Sequence, residues 1–441
     1  MLKIWWRRVS WGVMLWAMVV CAVPLRSIAQ TAKPAHVRIV QAQGRYQLQV
    51  DGTPFLVKGA GLGSASQESL VAAGGNAFRT WDSDDAGKTR ALLDRADNNG
   101  LKVSLGLVVA RERHGFDYGD AAAVSRQREQ LRQQVLAYKD HPALLTWVVG
   151  NELNLEANDP RVWDAVGELA QMIHRLDPHH PVMTTLAGFD RPLIEQIKAR
   201  APALDLIGIQ LYGDIDTLHD RLEKSGWTGP YIVTEWGPTG HWESPLTTWK
   251  AAIEDDASRK AQLLAERYAR DIASDTRQSL GSYVFLWGNK QERTPTWYGL
   301  FLADGSATPS VDAMQRAWTG QWPANRSPSI TPIRLDGQLA VASVTLRPGQ
   351  QATAAVEAAD PEGDALQVHW EVRHESTATS VGGDAEQVPA VVPVSFTGTA
   401  AGATRFAAPG RAGHYRLFVE VRDGHGHAAY ANAPFRVQDA R

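Results

Sequence analysis

Between residues 55 and 320 the chain alternates short apolar runs with longer amphipathic stretches. The eight runs are FLVKGAGLG, NAFRTWDS, KVSLGLVV, LLTWVVGNE, VMTTLAG, LIGIQLYG, YIVTEWG and GSYVFLWG. They are rich in β-branched and aromatic residues and end in glycine or polar residues, which predicts strands. Continuous apolar strands imply burial on both faces, as in a parallel sheet covered by helices. Five helical patterns lie between or after them: GKTRALLDRADNNG, stopped by Gly100; SRQREQLRQQVLAYKDHP, stopped by Pro142; DPRVWDAVGELAQMIHRLDP; SRKAQLLAERYARDIASD; and SVDAMQRAWTG. In the third, Asp159 is the expected N-cap and Pro160 the first helical position. Eight strand units in this length predict a (β/α)₈ barrel. The alternative is a doubly wound open sheet. It would want a glycine-rich phosphate turn, and Gly59, Gly61 and Gly63 in KGAGLGS lack the G-x-G-x-x-G spacing. Ahead of the first strand, RYQLQVDGTPF predicts a hairpin turning at Asp51-Gly52 and closing the bottom of the barrel.

The pattern changes after residue 320. TGQWPANRSPSITP is rich in proline and serine and reads as a linker over 321–331. From 332 to 441 the period becomes two, as in LAVASVTL, ALQVHWEV, HYRLFVEVRD and ANAPFRV, with turn signals at DPEGD and RDGHG. This predicts a C-terminal immunoglobulin-like β-sandwich without a cysteine pair. The barrel with its hairpin is assigned to 36–320.

Composition narrows the class. Of 441 residues, 44% are hydrophobic and 21% charged, with a formal net charge of −3. That is ordinary for a globular protein, and without a Lys/Arg run in the body of the chain a nucleic-acid partner is not expected. The N-terminus is basic and aromatic (MLKIWWRRVSWG), then apolar (VMLWAMVVCAVPL), then small at Ser27 and Ala29. It reads as a secretory signal over 1–29, cleaved before Gln30. The other reading is an uncleaved anchor, for which the apolar run is short. Cleavage would remove the lone Cys21, so an exported chain would rely on its core rather than on disulfides.

Two acids break the apolar pattern. Glu152 ends the fourth strand run and Glu235 the seventh. A carboxyl at the end of a buried strand is costly unless it has a role. Catalytic groups of a barrel sit at the carboxyl ends of its strands, so both glutamates would face one mouth. Paired carboxylates are what glycosidic cleavage needs.

At this point the sequence resembles a known group. HPALLTWVVGNE (His141 to Glu152) is similar to the acid/base motif of the clan A glycoside hydrolases, especially the family 2 barrel. VTEWG (Val233 to Gly237) is similar to their nucleophile motif. GGNAFRTWD resembles the second-strand segment carrying an arginine, here Arg79. ALLDRADNNGLKVSL resembles the helix and strand that follow. The likeness spans about residues 45–320. It implies Glu235 as nucleophile, kept ionised by Arg79, and Glu152 as general acid and base, its carboxyl neutral until the nucleophile's charge is spent. It implies a retaining mechanism with the carboxyls about 5–5.5 Å apart. Asn151 would donate to the sugar 2-hydroxyl, Tyr212 would bond the nucleophile, and Trp287 would form the floor under the reacting sugar. Trp81, Trp236, Trp242 and Trp297 fall at strand ends or in loops where a glycan would run, and His241 follows the nucleophile loop. The domain order departs from family 2, whose barrel usually follows a jelly-roll and a sandwich.

The expectation is therefore an exported retaining hydrolase of β-linked glycans, a glucan-type polysaccharide first. A transglycosylase using the same two glutamates is the alternative enzyme, and a non-catalytic glycan-binding protein the alternative of another class. No cofactor is expected, since the barrel half carries no metal triad or cysteine cluster. Asp360, Glu362 and Asp364 in the sandwich suit either a plain turn or calcium, and DGHGH (Asp423 to His427) either a hairpin turn or a metal. Trp81 and Trp242 are open between packing and substrate contact.

Overall fold

The computed structural model describes Met1, residues 33–398 and residues 402–439. The expected signal, its cleavage point and Cys21 lie outside the described residues. No helix among the described residues is long and apolar enough to cross a membrane.

Eight parallel strands close into a barrel in chain order. They are β1 (Val57–Leu62), β2 (Ala77–Arg79), β3 (Lys102–Leu107), β4 (Leu144–Asn151), β5 (Val182–Ala187), β6 (Leu206–Gln210), β7 (Tyr231–Trp236) and β8 (Ser279–Trp287). Each is followed by a helix: α1 (Gln67–Ala72), α2 (Ala86–Asn98), α3 (Ala121–Tyr138), α4 (Arg161–Leu176), α5 (Arg191–Arg200), α6 (Leu218–Ser225), α7 (Ala257–Arg267) and α8 (Pro309–Thr319). The eight apolar runs are the eight strands. The helices after β1, β5 and β6 escape the sequence pattern because they are short, with 6, 10 and 8 residues, and carry too few apolar repeats to register. At α4 the cap sits one residue later than expected: Pro160 is the N-cap, while Asp159 accepts from the Arg161 amide.

Two layers of core follow from strand alternation. Outward residues such as Val103, Leu105, Trp147, Val149 and Ile209 pack with the apolar stripes of the helices. Inside the barrel, polar side chains bond one another: the Ser104 and Tyr283 hydroxyls are 2.6 Å apart, and Thr146 donates to Ser104. Gly59 makes room for that layer, because a Cβ there would fall 2.5 Å from the Tyr283 ring. Below it, Val57, Leu145, Val148, Met183 and Ile232 meet Val37 and Leu48 of a hairpin formed by Val37–Ala42 and Arg45–Val50. This hairpin turns at Gln43-Gly44, and Asp51-Gly52 leads into a third short strand at Thr53–Pro54.

The C-terminal part is a two-sheet sandwich. Its long strands are β9 (Gln351–Ala355), β10 (Gln367–His374), β11 (Ala403–Ala407), β12 (Gly413–Arg422) and β13 (Ala428–Val437). β9 and β11 pair in one sheet; β10, β12 and β13 pair antiparallel in the other. Phe406, Trp370, Leu417, Val419 and Phe435 fill the space between. LAVASVTL is only partly a strand: Ala340–Ala342 forms a 3₁₀ turn and Thr345–Leu346 alone pairs. The stretch 321–331 is docked, with Ser327 bonded to Asp312 of α8 and Ile330 to Ser258 of α7.

A buried polar cluster joins the two parts. Lys260 of α7 contacts Glu254 at 2.5 Å, the Thr296 and Trp297 carbonyls and the Tyr430 hydroxyl of β13. Asn432 of β13 donates to Glu254, and Arg416 of β12 pairs with Glu375 and donates to the Ala252 carbonyl. Asp360, Asp364 and Asp423 bring carboxylate oxygens within 4.8 Å of one another, while Glu362 turns away to Arg326. Asp360 accepts from the Glu362 and Asp364 amides, and Asp423 from those of His425 and His427, which is how acidic turns satisfy themselves.

Candidate active site

Glu152 and Glu235 both line one cavity of about 790 Å³ at the carboxyl ends of the strands. β4 ends at Asn151, and Glu152 takes a left-handed conformation with φ +53. Successive strand residues point to opposite faces. The left-handed residue breaks that alternation, so Asn151 and Glu152 both reach the cavity. A non-glycine residue in this region costs of order 1–3 kcal/mol and concentrates at functional sites.

The two carboxyls have opposite surroundings. Glu235 Oε1 accepts from Arg79 Nη1 at 3.1 Å, Trp81 Nε1 at 2.8 Å and Gln210 Nε2 at 3.1 Å. Its Oε2 accepts from the Tyr212 hydroxyl at 3.1 Å. An acceptor-only role with four donors, one cationic, suits an ionised carboxylate. The Glu152 carboxyl accepts no hydrogen bond among the described residues. Burial, and next the negative Glu235, push it up to about 8, against the pull of Arg111, Arg79 and Arg113. Desolvation disfavours the charged form, so this carboxyl holds its proton at neutral pH.

Arg79 is fully buried and links the parts. Its Nη2 donates to Asn151 Oδ1 at 2.7 Å and its Nη1 also to the Thr234 carbonyl. Thr185 and Gln210 donate to the same Asn151 oxygen. That oxygen is saturated, so the amide nitrogen of Asn151 is the group left to donate. The cavity wall on this side is aromatic: Trp81 meets Phe285 edge to face at 5.7 Å, and Tyr212 meets Phe285 and Trp242. His241 lines the cavity and bonds the Tyr298 hydroxyl at 2.9 Å; burial lowers it to about 4, so it is neutral.

The structure thus brings together Glu152, Glu235, Arg79, Asn151, Tyr212, Trp81, Trp242 and His241. It does not bring Trp287 or Trp236. Trp287 is fully buried, donates to Ser69 and packs on Phe301 and Trp318 outside the barrel. The pairing of β8 with β1 is irregular between Val284 and Trp287, and Phe285 and Leu286 take the place on the cavity expected of the tryptophan. Trp236 follows the inward Glu235, so alternation turns it outward against Tyr268. Trp297 is buried behind the wall, donating to the Thr239 carbonyl.

Several contacts were not anticipated from the sequence. Gln210 ends β6 in QLYG and bridges Glu235 to Asn151; its polar character at an apolar strand end was the available signal. Arg111 donates to the Asn151 carbonyl. Val381 to Asp384, from the sandwich, also line the cavity, and no motif in that part of the sequence marks them.

The sequence matches no protein-family model and no curated protein. Solved structures share its fold. A Bifidobacterium dentium β-glucuronidase complexed with coumarin-3-O-glucuronide is 18% identical, over 65% of this chain and 49% of that one, with a TM-score of 0.52. A GH2 β-galacturonidase from Eisenbergiella tayi, bound to galacturonate, is 15% identical over 65% of this chain and 54% of that one, TM-score 0.51. A Bacteroides uniformis β-glucuronidase 2 is 14% identical over 92% of this chain and 48% of that one, TM-score 0.50. The chain spans about half the length of these proteins. What it shares with them is the fold: a closed eight-stranded parallel barrel accompanied by a β-sandwich.

Proposed function

We propose that this protein is a retaining glycoside hydrolase acting on β-linked oligo- or polysaccharides, with a β-glucan as the first substrate to test. The observation that carries the reading is the unequal pair of carboxyls in one cavity: Glu235 held by four donors, Glu152 buried and pushed up to about 8. A buried carboxyl that keeps its proton, beside one that accepts from four donors, is the pairing an acid and a nucleophile need.

In the first step a Glu235 oxygen bonds to the anomeric carbon as the carbon–oxygen bond to the leaving group breaks. Glu152 gives its proton to that departing oxygen. The ester then carries no charge at Glu235, the repulsion on Glu152 falls, and Glu152 can take a proton from the attacking water. Water's oxygen bonds to the anomeric carbon and Glu235 leaves as carboxylate, so configuration is retained. Asn151 would donate to the 2-hydroxyl, and the Trp81, Phe285 and Trp242 rings would pack on sugar C–H faces. The N-terminal pattern adds that the protein acts after export.

The test is a panel of aryl β-glycosides and oligosaccharides, with the product anomer recorded. Glu235→Ala should lose on the order of 10⁴-fold or more in kcat and recover with azide as an α-glycosyl azide. Glu152→Ala should recover as the β-azide. Full activity in both variants would overturn the proposal. Efficient transfer to a sugar acceptor in place of water would assign a transglycosylase, and glycan binding without turnover a binding protein.

A further inference from the structure

The loop Glu375–Ala390, between β10 and the short strand Val391–Val392 of the sandwich, reaches the barrel mouth. At one end Arg113, in the connection after β3, holds Asp384 through both carboxylate oxygens at 2.7 and 3.2 Å, and His114 stands 3.3 Å from it. Gly382 packs against Leu155, after β4, so closely that a Cβ would fall 2.6 Å from that side chain. At the other end the connection after β8 is tied down. Lys290 donates to the Gly383 carbonyl at 2.8 Å, and Arg293 bonds Glu386, the Ser380 carbonyl and the Ala378 carbonyl.

In a closed eight-stranded barrel, β4 and β8 stand opposite one another. The loop therefore spans the mouth. The connections lying between its anchors around the ring are short, residues 63–66 after β1 and 80–85 after β2, and bring only Gly63 and Trp81 to the cavity. Toward β4 to β6 the mouth continues. Ala187, Gly188 and Arg221 are shared with a neighbouring cavity of about 400 Å³ lined by Leu153, Asn154 and Phe189. The cleft has one walled end and one that runs on.

We propose that this loop of the sandwich determines specificity: it closes one end of the cleft, so the site takes a glycan by its chain end and removes terminal sugars. The terminal sugar sits against Val381–Asp384, and the departing chain runs over β4 to β6. Glu152, at the end of β4, stands on the departing side, where the leaving oxygen needs its proton. The inference rests on the glycosidase reading above. Asp384 acts as a positioning residue, holding the loop through Arg113 rather than reacting.

The test uses the full chain, 4-nitrophenyl β-glycosides and β-glucan oligosaccharides of graded length. Wild type should release one terminal sugar at a time. Asp384→Ala should raise KM for the aryl glycosides about ten- to 100-fold with a smaller change in kcat, and Asp384→Glu should restore most of it. Replacing residues 379–386 by a short Gly-Ser turn should let internal cuts appear in long oligosaccharides. Internal cutting by wild type, or an Asp384→Ala variant with unchanged KM and products, overturns the loop's role while the glycosidase reading stands. No turnover by wild type on any member of the panel overturns that reading and this inference together.

Discussion

At the residue scale, the proposed chemistry turns on one proton. Glu152 must hold it to act as acid, and burial with the neighbouring negative charge keeps it there up to about pH 8. The proposed mechanism makes the protonated form the active one, so kcat/KM should fall as pH rises through about 8. Glu152→Gln cannot ionise. It should lack this alkaline limb and lose about 10²–10⁴-fold on substrates with poor leaving groups, with much less loss where the leaving group needs no proton. A pH–rate profile on both kinds of aryl glycoside checks this; an unchanged alkaline limb in the variant would assign the proton to another group. Both glutamates were legible in the sequence because each closes an apolar strand with an acid. Trp287 was misjudged for a local reason: strand ends look alike in sequence, and the irregular pairing beside β1 that sends it outward leaves no trace in composition.

At the element scale, the barrel closes where β8 meets β1. Gly281 faces Val57 there with φ +113, and a Cβ would fall 2.1 Å from the Val57 carbonyl oxygen. Backbone cannot yield as a flexible side chain can. Gly281→Ala should destabilise by about 3 kcal/mol or more, read by chemical denaturation followed through tryptophan fluorescence. Wild-type stability would show that the seam relaxes. The eight strands were legible because burial on both faces makes them continuously apolar. The helices α1, α5 and α6 were not, because a short helix held by tertiary packing need not carry a strong pattern of its own.

At the scale of the whole molecule, the sandwich and the barrel share a charged, buried joint. Lys260 there has both a carboxylate and three oxygen partners. Lys260→Ala would leave Glu254 buried without its cation and should cost about 3–5 kcal/mol. Replacing both by neutral residues of similar volume, Lys260→Met with Glu254→Gln, should cost less. Thermal unfolding of the single and double variants tests this, and equal losses would rule out an unpaired charge as the cause.

The sequence by itself determined the barrel, the sandwich and the two glutamates, since each is written in local terms: a period of two, an apolar run, an acid at its end. Tertiary structure alone decided which tryptophans meet the cavity, that Gln210 joins Glu235 to Asn151 and Arg79 also holds Asn151, and that a sandwich loop walls the mouth. Those facts depend on side-chain facing and on contacts between residues 25 to 271 positions apart, and neither is encoded in any short stretch of the chain.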